Sequence, residues 1–246
     1  MCFTLRLHMS AAPPRVGLTL ALDRMRDILP PSLVDLLRDR YLAGVADAEA
    51  AFNQHVADED SLTGALGQAL AMREPIIFNG PGGTYAVRVS YRKLRGRGPG
   101  ALEKTLGSDG IFQIEVANDL GGVVRSKGLP FQAKTNWRGK NSALYEQAAV
   151  MEKMSPGGLV IDYTPNGYKA CTAKAVVAAN GRRSYVERYG AMRSLGQVLS
   201  RDFLDCTIGT PGLYFDPDRE LYTQLRDGSD LDVITTQVTR MDRNAV

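Results

Sequence analysis

The chain has 246 residues, an apolar fraction of 44%, a charged fraction of 23% and a net charge of +3. That is enough for one good core or two small ones, and a charge that permits a polyanionic partner without demanding one. Three scattered cysteines (Cys2, Cys171, Cys206) and two histidines in different contexts (His8, His55) exclude a disulfide framework and a zinc site, and they fit a reducing, cytoplasmic compartment.

Apolar residues recur at helical spacing over 16–26 and 32–41, with a break at Pro30-Pro31, and a second helical run covers 46–72. Within it Leu62, Leu66 and Leu70 form one stripe, and Glu59 falls on or beside the buried face. Residues 85–91 alternate and are rich in Val and Tyr, as a strand is. A basic, glycine-rich loop follows, with Arg92, Lys93, Arg95 and Arg97 close together, then one helical turn over 101–106. Residues 1–8 are too short and too broken for a signal peptide, and no stretch approaches a membrane span, so no membrane association is expected.

The densest chemistry comes next. Two alternating segments, 108–116 and 127–134, read as half-buried strands joined by a hairpin turn over 118–122. Their polar residues are Asp109, Gln113 and Glu115 on the first, and Gln132 and Lys134 on the second. If the strands pair, an acid, an amide and an amine gather on one sheet face, an arrangement suited to holding a metal or moving protons. Mg²⁺ takes oxygen ligands, and a nearby lysine can orient water and neutralise charge. Glu115 shares the parity of Asp109 but lies six residues on, roughly 20 Å at about 3.3 Å per residue, too far to join a site centred on Asp109.

A helix is predicted over 141–154, strands over 159–163 and 168–178, a helix over 191–199, and glycine- and proline-rich loops around Thr210-Pro211-Gly212. The last dozen residues are expected to be mobile. The order implies an α/β chain, a mixed central sheet flanked by helices, in one unit. Its core is about 55–178, with a helical region over 15–54 and a further elaboration over 184–246.

Asp109-Gly110-Ile111, followed after a hairpin by Gln132-Ala133-Lys134, resembles the PD-(D/E)XK nuclease superfamily. More narrowly it is similar to its Mrr-type restriction endonuclease branch, where Gln-x-Lys stands in place of Glu-x-Lys. The helix that follows, with Tyr145, Gln147 and Met151, fits that pattern. The resemblance spans about 55–178 and implies a restriction-endonuclease-like fold and an Mg²⁺- or Mn²⁺-dependent endonuclease, cutting DNA rather than RNA. In that reading Asp109 binds the metal and Gln132 gives an oxygen ligand or holds a metal-bound water. Lys134 positions the attacking water, and an acid from elsewhere, Glu59 first or Glu103 second, completes the site. Arg92, Lys93, Arg95 and Arg97 would clamp phosphates, with Gln147 and Trp137 as further nucleic-acid contacts. Such nucleases work in restriction and other anti-phage systems beside ATPase, helicase or sensor proteins, so an effector controlled by a partner or by self-assembly is implied. Gln132 is neutral, which keeps a catalytically silent nucleic-acid-binding or scaffolding subunit as the alternative.

Overall fold

The computed structural model describes residues 25–93, 107–216, 221–222 and 231–241. It opens with α1 (Met25–Ile28), α2 (Pro31–Ala50), α3 (Phe52–His55) and α4 (Glu59–Leu70), then β1 (Ile76–Gly80), β2 (Gly83–Lys93), β3 (Gly110–Ala117) and β4 (Val123–Thr135). Helix α5 (Ser142–Met154) leads to β5 (Leu159–Tyr163), β6 (Lys169–Thr172), α6 (Ala173–Ala178) and α7 (Arg183–Arg188). After β7 (Arg193–Ser194) and α8 (Leu195–Gln197), a π-helical turn (Val198–Phe203) precedes β8 (Thr210–Pro211), β9 (Phe215–Asp216), β10 (Leu221–Tyr222) and β11 (Asp232–Met241). Among the described residues no helix is long and apolar enough to cross a membrane.

Nine strands form one mixed sheet in the order β1-β2-β11-β3-β4-β5-β6-β7, with β8 beside β4. β11 runs parallel to β3, and β4 runs parallel to β5 across the α5 crossover, while the other neighbours are antiparallel. This is the α/β class with helical cover. Consecutive strand residues enter different cores, as a pleated sheet requires. Phe112 and Ile161 join the large cluster beneath α2 and α4, whereas Val160 packs with Leu144, Ala148 and Met151 of α5.

The structure corrects several expectations. The run over 46–72 is three helices, because Asp58, extended at φ −156°, takes the N-cap of α4 and accepts from the Ser61 amide. The strand over 168–178 stops at Thr172, whose hydroxyl caps the Ala/Val turn of α6. In the C-terminal region, α7 begins at Arg183, and the helix over 191–199 is only α8 passing into the π-helical turn. The expectation of a mobile tail fails most clearly. Residues 232–241 are β11, a central strand whose β-branched run puts Ile234 and Val238 in the main core. Of the predicted helix over 16–26, only the end from Met25 lies within the described residues.

What fixes α4 matters most for the site. Leu62, Leu66 and Leu70 are fully buried against the sheet. At its C-terminal end Arg40 of α2 donates to the carbonyls of Ala69 and Ala71, a favourable pairing of cation and helix dipole. In between, Gly67 lets the helix lie directly on Tyr91 of β2: a Cβ there would stand 2.3 Å from the tyrosine ring. Gly67→Ala, which would add about 1 kcal/mol to an exposed helix, is therefore expected to cost about 1–3 kcal/mol by overpacking. Urea unfolding reads the sign directly.

Candidate active site

β3 and β4 pair with Gly110 opposite Phe131, which sets Asp109, just before β3, across from the Gln132 end of β4. The Asp109 amide donates to the Phe131 carbonyl at 2.8 Å. Its carboxylate returns the contact, with Oδ2 accepting from the Ala133 amide at 2.7 Å and from Gln132 Nε2 at 2.6 Å. The turn entering this strand is held close to α5. Gly107, at φ +65°, packs so tightly that a Cβ would lie 2.2 Å from the Gln147 carbonyl oxygen.

At the C-terminal end of β4 the N-terminus of α4 arrives. Glu59 Oε2 accepts from Lys134 Nζ at 3.0 Å, and Oε1 accepts from the Thr135 amide at 3.1 Å. The four residues Asp109, Gln132, Lys134 and Glu59 thus come together from three separate parts of the chain. Two of them, Glu59 and Asp109, line a cleft of about 330 Å³ together with Asp58, Asp60 and Thr63. Thr63 is buried at its back and bonds the Glu59 carbonyl and the Tyr163 hydroxyl.

Two side-chain oxygens in this network, Gln132 Oε1 and Thr135 Oγ1, are buried with no hydrogen-bond partner. Gln132 is 1% exposed, its Nε2 is committed to Asp109, and its Oε1 is buried with no hydrogen-bond partner. A buried acceptor left unpaired costs about 1–3 kcal/mol. Among the described residues no three His, Cys, Asp or Glu side chains are grouped so as to hold a metal alone. The oxygen donors the sequence pattern would bring here are two carboxylates, Glu59 and Asp109, and the Gln132 amide oxygen. That set suits Mg²⁺, which is usually held by one or two carboxylates and completes its shell with water and substrate phosphate.

The other predicted residues divide. Glu103, Arg95 and Arg97 lie outside the described residues. Arg92 is exposed at the end of β2, and Lys93 is paired with Asp60 at 2.8 Å beside the cleft. Glu115 is opposite Ser126, far along β3 from Asp109. Gln113 faces inward rather than into a site: it bonds Thr235 and both backbone groups of Phe215, fastening the C-terminal region to the sheet. Gln147 lies on α5 behind the Gly107 turn, with its Oε1 buried and unpartnered. Trp137 is a correction. It is 5% exposed and packs in the core cluster with Leu144 and Ala148, so its ring offers no face to a base.

Sequence reading missed Asp58, Asp60 and Thr63, although an Asp three residues before Ser61 at the head of a leucine stripe is a visible capping signal. It also missed Asp232, whose amide donates to the Asp109 carbonyl and whose buried carboxyl takes the Tyr91 hydroxyl at 2.7 Å. Burial pushes that carboxyl above the usual range, against the lowering effect of Tyr91. No local pattern joins Asp232 to Asp109, because parallel pairing with β3 alone brings them together.

No family model matches the chain, and no curated protein or solved structure is significantly similar to it. Asp109→Ala strips an acceptor from two donors, the Ala133 amide and Gln132 Nε2. The expected loss is about 2 kcal/mol or more in urea unfolding, with Asp109→Asn, which keeps one acceptor, losing less.

Proposed function

We propose that this protein is a metal-dependent nuclease of the PD-(D/E)XK type, hydrolysing phosphodiester bonds in nucleic acid, DNA before RNA. The observation that carries the reading is the pairing of Gln132 with Asp109 and of Lys134 with Glu59, the two acids lining one cleft, with the Gln132 oxygen buried and unpaired. The unit formed by α4, β3, β4, α5 and β5, antiparallel and then parallel, agrees with the αβ core that the motif resemblance implies.

Glu59, Asp109 and the Gln132 oxygen would hold Mg²⁺ or Mn²⁺. A bound divalent ion supplies charge neutralisation at the phosphate and lowers the pKa of water. The chain's own work is positioning. Asp109 is fixed by backbone and side-chain donors, so its carboxylate needs little reorganisation. Lys134 stands at the end of β4 with its amine held by Glu59. Released from that pair, it orients the attacking water and meets the charge that builds on the phosphate oxygens. The bond from phosphorus to the leaving sugar oxygen breaks as the new P–O bond forms. Such an effector would act in prokaryotic defence, switched by an ATPase, helicase or sensor partner or by self-assembly.

A second reading, a catalytically silent binding or scaffolding subunit, is favoured by one observation: both Glu59 oxygens already have protein partners, Lys134 and Thr135. Plasmid DNA and RNA incubated with purified protein and Mg²⁺ or Mn²⁺ separate the two. Lys134→Ala and Asp109→Ala are each expected to cut at least a hundredfold more slowly. Cleavage that survives in both removes the site assignment, and binding without cleavage under every metal and partner condition favours the scaffold.

Gln132→Glu offers an independent readout by restoring a second strand carboxylate beside Asp109. Two carboxylates in contact cannot both ionise cheaply. Without metal the variant is expected to melt several degrees below wild type. With millimolar Mn²⁺ it should recover more than wild type gains, as ligand linkage requires. Equal responses in a melting assay with and without Mn²⁺ would argue against metal at this place.

A further inference from the structure

Beyond Lys134 the chain builds a surface that the reading above leaves unused. Loop 136–141 leaves β4 and is pinned from below. Asp162, the register partner of Lys134, accepts from the Trp137 amide at 2.8 Å and from Arg183 Nε at 3.0 Å. The Arg183 amide donates to the Gly139 carbonyl, and Lys140 bridges Arg182. The loop and the head of α7 are therefore one rigid piece, attached to the strand that carries Lys134.

Its outer side is basic and aromatic. Arg138, Lys140, Arg182 and Arg188 are exposed, and none is paired with a carboxylate among the described residues. The nearby carboxylates are occupied: Arg183 takes buried Asp162 and reaches Glu187 at 2.9 Å. Arg182 and Arg188 both lie over the Tyr185 ring, 5.7 Å from its centroid. One turn on, Tyr189 is 79% exposed, with nothing covering its ring. Four unneutralised cations attract a polyanion, and stacked guanidiniums are held ready for phosphate at little entropic cost. An acidic protein would use the charges and ignore the ring. A duplex keeps its bases stacked inside. An exposed ring among phosphate-binding cations suits an unpaired base.

We propose that the loop 136–141 and α7 surface binds single-stranded nucleic acid, with Arg182 and Arg188 on phosphates and Tyr189 stacking a base, and delivers that strand toward Lys134. The proposal rests on the nuclease reading only for the direction of delivery; the binding surface stands on its own. Fluorescence anisotropy on the full chain in EDTA, where no cleavage occurs, tests it with a labelled 20-mer single strand, the same 20-mer as duplex, and poly-L-glutamate. R182E/R188E is expected to weaken single-strand binding at least tenfold and to flatten the slope of log affinity against log salt by about 1.4, two phosphates at about 0.7 each. Tyr189→Ala should lose about tenfold on the single strand and little on the duplex. R182K/R188K keeps the charge but loses the planar guanidiniums, so it should keep the salt slope while recovering only part of the affinity; a wild-type circular dichroism spectrum and melting temperature for R182E/R188E separate loss of contact from loss of fold.

Wild-type affinity and slope in R182E/R188E overturn the proposal. So does a Tyr189→Ala loss that is equal on single strand and duplex, or poly-L-glutamate binding as tight as the oligonucleotide. The plasmid cleavage assay is scored separately. Patch-dependent single-strand binding without any cleavage leaves this surface standing while the nuclease reading falls, and cleavage with patch-independent binding does the reverse.

Discussion

Everything at the candidate site depends on where α4 rests. Its leucine stripe would bury equally well with the helix slid by a turn, because Leu62, Leu66 and Leu70 are near equivalents. Gly67 and Gly64 seat the helix on Tyr91, the first against its ring and the second beside its hydroxyl, and the Arg40 clamp on the last carbonyls fixes the C-terminal end. Three turns of rigid helix then carry the position to Glu59, whose carboxylate finds Lys134 and the Thr135 amide. A shift of one turn, about 5.4 Å, would break both contacts.

The same economy governs the strands. Asp109 serves the fold first: it closes the mouth of the β3–β4 pair by accepting from β4. Asp232 extends that closure on the other side through its bond to the Asp109 carbonyl. The acid is thus built in by backbone pairing rather than carried on a loop, and its orientation costs nothing extra when a ligand arrives. The unpaired Gln132 oxygen is the opposite case, a local expense in the fold with no structural return.

Much of this was legible in the residues. Period-two alternation located β3 and β4, although β3 is buried on both faces rather than half-buried, and their turn set the pairing that brings Asp109 to Gln132. Helical spacing placed the leucine stripe, and from it the side on which Glu59 falls. What stayed hidden was non-local. β11 belongs between β2 and β3, yet its sequence gives no address, and its place at the chain end argued for looseness. Trp137 was read as a nucleic-acid contact from its place just beyond Lys134. Its burial is decided by α5 and by the Asp162 bond to its amide, from elements far along the chain. Asp58 is different: its capping role was legible in its spacing from Ser61 at the head of the leucine stripe.

The ion pair at the centre sets how readily the site can change state. The Lys134 and Glu59 side chains are 17% and 40% exposed, so water screens the attraction. Pairs of that kind are worth about 0–1 kcal/mol. The pair is strong enough to keep the amine and the carboxylate in place and weak enough for a stronger competitor to open. A phosphate offers Lys134 more charge than one carboxylate does, and a divalent ion offers Glu59 more than one ammonium. Each competitor frees the partner of the other: the ion that takes Glu59 releases Lys134, and the phosphate that takes Lys134 releases Glu59. If the proposed nuclease binds both here, the two would reinforce each other on electrostatic grounds alone, through a bond already present in the fold.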